Sequence, residues 1–210
     1  MNFFTTTVIL FALLSTVLVG GCSSDKNSAS TRANSNSMKH VKFKDDVATN
    51  TNLPTNIDQL EFVDTAGNLI TLNDFKGKKN IVLVFTRGFS GKLCPFCKTQ
   101  TSRLIANYEE ISKRDAEVLL VYPGKREKLD QFIEAAKVSE KSQVDRVPFP
   151  ILLDEDLEAV QFFDISDSLA LPSTYVIDKD GKLRFAYVGN NPSDRPSLKA
   201  ILEQLDNLSL

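Results

Sequence analysis

Histidine is nearly absent from this 210-residue chain: the only one, His40, lies in a stretch rich in Ser, Asn, Thr, Ala and Lys. A Cys–His hydrolase needs an imidazole base beside its nucleophile. A copper-delivery site wants an imidazole partner too. Both are therefore excluded from anything that folds beyond residue 56. Cysteine is scarce as well. Cys22 stands alone near the N-terminus, and Cys94 and Cys97 form a pair. Two ligands without a histidine fall short of the roughly four that a structural zinc site requires. Nothing in the composition calls for a metal or a cofactor. Charge of one sign is lacking: 25 Lys and Arg stand against 27 Asp and Glu, a net charge of -2. No basic surface is expected to bind a phosphate backbone, and no charge block forms an acidic tail, so nucleic acid is not an expected partner. No internal repeat recurs at a fixed period, which sets aside solenoids and propellers.

The first 21 residues carry no charge, and their apolar run, 8–19, is too short to span a bilayer comfortably but suits the core of a signal peptide. It ends at Val19-Gly20-Gly21-Cys22, which resembles a bacterial lipoprotein signal: small residues precede a cysteine that is lipidated and becomes the mature N-terminus. The missing Lys or Arg ahead of the run departs from that pattern. The expected organisation is a signal peptide over 1–21, a lipidated Cys22 with a disordered tether over 22–56, and one folded domain over 57–210. The tether expectation rests on its polar, core-poor composition. The protein is then expected outside the cytoplasm, anchored to a membrane of a bacterial envelope on its periplasmic or cell-surface side.

Residues 60–63 and 69–72, joined by Asp64-Thr65-Ala66-Gly67-Asn68, read as a hairpin. The run 81–85 is apolar and β-branched, as in a central strand buried on both faces. After Cys94, the residues Cys97, Thr101, Leu104, Ile105, Tyr108 and Ile111 share one helical face. A second buried strand is expected over 118–122, stopped by Pro123-Gly124, and a helix over Leu129, Phe132, Ile133 and Ala136. The helical crossover makes the two strands parallel. Pro148 and Pro150 mark 149–153 as an edge strand, and a helical turn or two follows over 155–163. Strands at 174–177 and 183–188 flank an Asp-Gly turn at Asp180-Gly181. A last helix carries Leu198, Ile201, Leu202 and Leu205, with Asp194 as its cap and Pro196 in its first turn. The fold class is α/β: a central mixed sheet flanked by helices on both faces, extended by an N-terminal β-hairpin.

Cys94 follows a buried strand by a short loop and opens a helix. Backbone N–H groups and the positive end of the helix dipole favour its thiolate there. Cysteines three apart on a first turn also close a disulfide with little backbone movement. Cys94 is therefore the expected attacking thiolate, and Cys97, on the inner helix face, the resolving thiol. Arg87, Lys92 and Lys98 are candidates for added positive potential. A static disulfide in an oxidising compartment is the competing reading.

Four segments carry a resemblance: Asp74-Phe75-Lys76-Gly77-Lys78 before the 81–85 strand, Cys94-Pro95-Phe96-Cys97, Pro172-Ser173-Thr174-Tyr175-Val176-Ile177-Asp178, and Asp194-Arg195-Pro196-Ser197. Over nearly all of 60–205 the domain resembles the thioredoxin-like superfamily. Within it, the chain resembles the peroxiredoxin-like branch of the alkyl hydroperoxide reductase and thiol-specific antioxidant (redoxin) family. The resemblance implies a cis bond before Pro172, placed beside the sulfurs. It also implies partners that are thiol or disulfide proteins, or an external reductant. Peroxidases of the family carry Thr three residues before the peroxidatic cysteine and Pro seven before it, where this chain has Gly91 and Arg87. Their late arginine has no counterpart around Leu169-Ala170-Leu171. Dithiol–disulfide exchange is the first expectation, hydroperoxide reduction the alternative, and a non-enzymatic surface lipoprotein with a structural disulfide the third.

Overall fold

The computed structural model describes residues 41–89, 91–137 and 145–208. Cys22, His40 and the expected signal peptide lie outside them. Among the described residues no helix is long and apolar enough to cross a membrane. The elements in chain order are β1 (Glu61–Asp64), β2 (Leu69–Thr71), β3 (Asn80–Phe85), α1 (Pro95–Ala106), α2 (Tyr108–Ser112), β4 (Ala116–Pro123), α3 (Leu129–Ala136), β5 (Ile151–Asp154), α4 (Glu158–Phe162), β6 (Ser173–Ile177), β7 (Leu183–Val188) and α5 (Leu198–Asp206).

The strands form one seven-stranded sheet in the order β2-β1-β5-β4-β3-β6-β7. β3 lies parallel to β4 and antiparallel to β6. All six residues of β3 are buried, because side chains alternate between two covered faces. Val82 and Val84 join Leu104, Ile111, Phe132, Ile201 and Leu205 under α1, α2, α3 and α5. Ile81, Leu83 and Phe85 join Val160, Phe163, Ile165 and Tyr175 under α4 and the chain beyond it. The Phe163 ring there lies 4.7 Å from that of Phe85 and 5.0 Å from that of Tyr175, centroid to centroid. The Asp-Gly turn between β6 and β7 forms as expected, with Gly181 at φ 82° and Asp178 Oδ1 accepting the N–H groups of Asp180 and Lys182.

Five expectations need correction. The helical face drawn through Ile111 is two helices, because the chain breaks at Asn107 (φ -124°, ψ 20°), whose side chain donates to the Arg103 carbonyl at 2.8 Å. Asn competes with the helix by such local bonds. The strand expected at an edge, β5, is interior and pairs with both β1 and β4. Its prolines precede the ladder, and the Pro150 carbonyl accepts Leu120 N–H. The cap of α5 is Ser197, whose hydroxyl accepts Ala200 N–H; Asp194 is used elsewhere. No cis peptide bond occurs among the described residues, so the bond before Pro172 is trans.

The fifth concerns residues 41–56, which composition assigned to the tether. They lie on the domain. Asn50 N–H donates to Ala186 O at 2.9 Å, and its side chain exchanges two hydrogen bonds with the backbone of Val188. Thr49 Oγ1 accepts Ala186 N–H. These bonds satisfy the outer edge of β7, which would otherwise present unpaired backbone groups. Val47 and Leu53 pack against the two cores. The folded unit begins earlier than residue 57.

Candidate functional site

The site forms where β3 ends. Phe85 pairs with Val121 and Ser173, and Thr86 extends the contact by donating its N–H and its hydroxyl to the Val121 carbonyl at 3.0 and 3.2 Å. Gly88 then turns the chain at φ 72°, where a Cβ would lie 2.1 Å from the Pro123 carbonyl oxygen. Only glycine fits so close to that backbone. The turn delivers Cys94 to the N-cap of α1, with Pro95 in the first turn, where its fixed φ suits a helix start and its missing N–H costs nothing.

Cys94 is half-buried and Cys97 is buried, and both are free thiols. Cys94 Sγ accepts Cys97 N–H at 3.3 Å. The Cys97 thiol hydrogen-bonds to Cys94, the N–H groups of Cys97 and Phe96 add to it, and the charge of Arg195 assists. Against the opposing cost of burial, these bring the Cys94 pKa down to about 6. Cys97 moves the other way: burial first, and then its hydrogen bond to Cys94, push its thiol well above the ordinary range. One sulfur is held as thiolate and the other as thiol.

Around Cys97 the structure gathers groups remote in sequence. Its Sγ accepts Arg87 N–H at 3.3 Å and Arg195 Nη2 at 3.1 Å. Arg195 is 1% exposed. Its other bonds run to the Pro192 carbonyl, at 2.8 Å, and to Gln100 Oε1. Among the described residues none of its hydrogen-bond partners is a carboxylate, so a buried cation is left facing a sulfur that can ionise. Tyr122 is fully buried nearby, and its hydroxyl has no hydrogen-bond partner among the described residues. Burial and then Cys97 push its pKa up to about 12.

The other expected residues are placed as follows. Arg87 contributes its backbone N–H to Cys97, while its guanidinium turns to Asp167 at 2.5 Å and Ser168 at 3.1 Å. Lys92 is exposed and lines an open groove of about 500 Å³ together with Arg87, Leu93, Cys94, Phe96 and Pro192. No hydrogen bond joins its side chain to either sulfur. Lys98 is buried on α1. Pro172 is buried one residue before β6, at the register level of Thr86, and its carbonyl accepts Gly189 N–H. Cys97 does not line the groove, so the solvent reaches the pair through Cys94. Among the described residues no group of three or more His, Cys, Asp or Glu is arranged to hold a metal ion.

Sequence reasoning missed Arg195 as a site residue. It looked for a late arginine near Leu171 and found none, yet Arg195 supplies a cationic donor from beyond β7. The signal was present in Asp194-Arg195-Pro196-Ser197, a charged pair hard against the last helix, but nothing local says which way the guanidinium turns.

The AhpC/TSA family profile matches residues 45–186. The thiol-disulfide oxidoreductase ResA of Bacillus subtilis is 29% identical over 121 residues, 57% of this chain and 58% of that protein, so the match spans well under two thirds of its length. Peroxiredoxin Bcp of the same organism is 28% identical over 133 residues, 59% of this chain and 76% of that protein. Among solved structures, a mutant of peroxiredoxin 6 from Arenicola marina superposes with a TM-score of 0.63 at 20% identity, covering 79% of this chain and 74% of that one. Peroxiredoxin Q of Xanthomonas campestris gives 0.58 at 20% identity, covering 77% and 99%. The thioredoxin-like architecture implied by the sequence resemblance is the one observed.

Proposed function

The chain belongs to the AhpC/TSA family of redoxins, and from that premise we propose that it is a dithiol oxidoreductase in which Cys94 attacks and Cys97 resolves. The observation that carries this reading is the division of labour between the sulfurs: a groove-facing Cys94 at a helix N-cap with a pKa of about 6, and a buried Cys97 three residues on.

Cys94 thiolate attacks a substrate disulfide, forming a Cys94 mixed disulfide and expelling one substrate thiolate. Cys97 then attacks the Cys94 sulfur. The Cys94–Cys97 bond forms, the bond to the substrate breaks, and the proton of Cys97 ends on the departing thiolate. Two electrons pass to the substrate, and a dithiol reductant resets the pair. In the mixed disulfide Cys94 carries no charge, so the hydrogen bond that kept Cys97 protonated is lost. Arg195 Nη2 and Arg87 N–H then stabilise the Cys97 thiolate, a donor set roughly twice as strong as neutral hydrogen bonds where the guanidinium is concerned. Pro172 sits at the level of Thr86 and bounds this end of the sheet.

A second reading, hydroperoxide reduction, is favoured by Arg195, since a cationic donor stabilises charge on a departing oxygen, and by the likeness to Bcp. Arg195 bonds to Cys97 and does not line the groove, however, so its N–H groups do not reach a peroxide held at Cys94 and only its charge acts there. A non-enzymatic role with a structural disulfide would leave the low Cys94 pKa without a use. Stopped-flow oxidation of the reduced protein decides among the three. Faster reaction with disulfides than with hydrogen peroxide supports dithiol exchange, rapid peroxide consumption with a sulfenic acid at Cys94 supports the peroxidase, and inertness to both the structural role. We further propose lipidation at Cys22 and a place on the outer side of a bacterial membrane. Wild-type mature protein found wholly soluble and without acyl chains would overturn that.

A further inference from the structure

Arg195 reaches Cys97 from the loop between β7 and α5, and that loop is fastened from outside by Lys44. Lys44 N–H donates to the Arg195 carbonyl at 2.9 Å, and the Lys44 carbonyl accepts Ser197 N–H at 2.7 Å. Its ammonium lies 2.7 Å from Asp194 Oδ1 and donates to the Tyr187 hydroxyl at 2.8 Å. That hydroxyl in turn donates to Asp194 Oδ1 at 2.8 Å, and Asn190 N–H bonds the other carboxylate oxygen. The residues on both sides of Arg195 are thus tied to one lysine.

The same short segment also grips the helix that carries the cysteines. Arg103 on α1 donates to the Val41 carbonyl at 2.7 Å and lies 5.2 Å from the Phe43 ring centroid. Phe43, Gln100, Leu104 and Pro196 surround a gap of only about 10 Å³ between α1 and the loop. Gln100 is itself a partner of Arg195. Residues 41–45 therefore join the two parts that meet at the sulfur: the helix bearing Cys97 and the loop bearing the guanidinium.

We propose that Lys44 is a positioning residue for the redox reaction: it holds the Arg195 loop against α1, so that the segment leading into the domain sets the reactivity of Cys97. The proposal rests on the dithiol reading, in which Cys97 must ionise to resolve a mixed disulfide. The Lys44 side chain is 53% exposed but the Asp194 side chain is only 5% exposed, so losing the lysine leaves a buried carboxylate without its cation and costs stability. A purely structural role would lower stability and leave the Cys97 titration of the folded protein unchanged, whereas a positioning role is felt at the sulfur. The charged and titratable groups facing Cys97 are Arg195, Cys94 and Tyr122, and those facing Lys44 are Asp194 and Tyr187.

The test follows the ¹³Cβ resonance of Cys97 against pH in the full chain carrying Cys94→Ser. Lys44→Met should leave about tenfold less Cys97 thiolate at a given pH in the folded protein, and Lys44→Arg should restore it. Titration curves identical in Lys44→Met and wild type would overturn the proposal. So would a loss that tracks a fall in melting temperature and is not rescued by arginine. Failure of the dithiol reading looks different: no variant would exchange with disulfides, while the Cys97 titration would still respond to Lys44.

Discussion

Cys94 and Cys97 stand on one turn of one helix, yet their thiols answer to different parts of the chain. Cys94 is governed chiefly by its neighbours: the Cys97 thiol first, then the N–H groups of Cys97 and Phe96 at the cap position, with the charge of Arg195 added to them. Cys97 is governed by its burial and its bond to Cys94, opposed by Arg195 beyond β7 and the Arg87 N–H before the loop. In the proposed dithiol reading the difference separates two tasks. An attacking thiolate needs exposure and a local field, and the first turn of a helix supplies both. A resolving thiol must stay neutral until the first step is complete and ionise afterwards. That switch needs a burial cost opposed by a fixed cation, and only the assembled fold provides the pair.

The largest break in this comparison is to remove each sulfur in turn. Cys94→Ser should abolish turnover of a disulfide substrate. Cys97→Ser should leave the first step intact and trap one substrate per chain as a mixed disulfide, read by mass spectrometry of the non-reduced protein. Adducts on Cys97 in the Cys94→Ser protein at a comparable rate would reverse the assigned roles.

Next in size are the two glycines that support each half. A Cβ at Gly88 would meet the Pro123 carbonyl at 2.1 Å, and one at Gly189 would meet the Asp194 carbonyl at 1.9 Å. Each alanine variant should lose about 2 kcal/mol or more of stability, at Gly88 from the clash together with a positive φ and at Gly189 from the clash alone. Gly88→Ala disturbs the loop that delivers Cys94, whereas Gly189→Ala moves the loop that carries Arg195. Denaturant unfolding gives the losses, and a cost under about 0.5 kcal/mol would mean that these loops yield freely.

Arg195→Met sharpens the contrast without cutting either sulfur. Release of substrate from the mixed disulfide should slow by about a hundredfold to a thousandfold, the scale of losing one preorganised donor. The first attack should change far less. Rapid-quench measurement of the two steps separates them, and equal slowing would show that Arg195 serves both cysteines alike.

The smallest effect is on stability against pH. The folded pKa of Cys94, about 6, is depressed below the roughly 8.5 of a free thiol. Its stabilisation of the reduced protein is therefore fully present above about pH 8.5 and is lost as pH falls through about 6. After allowance for screening at a half-buried group, reduced protein should be stabilised by on the order of 1 kcal/mol at pH 8 relative to pH 6. Cys94→Ser should lack this gain. Cys97, whose pKa is raised, opposes it only at higher pH. Equal pH dependence in the two proteins would remove the basis for calling Cys94 the thiolate.

Much of the scaffold was legible because it is written in short periods. The apolar run of β3, the Asp-Gly turn before β7 and the position of Cys94 after a strand all follow from residues within a few places of one another. Where the reading slipped, a longer-range partner had decided. Pro148 and Pro150 argued for an edge, but they stop short of the ladder and leave β5 free to pair on both sides. Residues 41–50 sit in a polar stretch with few apolar side chains, and they stay on the domain through Phe43 and Val47 and through bonds from Thr49 and Asn50 to β7 that composition does not register.

By itself, then, the sequence determined a mixed α/β redoxin domain and a cysteine at a helix start, because strand alternation, helix periodicity and capping act over three or four residues. The tertiary structure alone decided what surrounds the second cysteine. Arg195 lies 98 positions beyond Cys97, and Lys44 precedes Arg195 by a still longer stretch. Their meeting depends on the order in which the strands pair. A guanidinium side chain carries no local sign of whether it will point to water or to a buried sulfur.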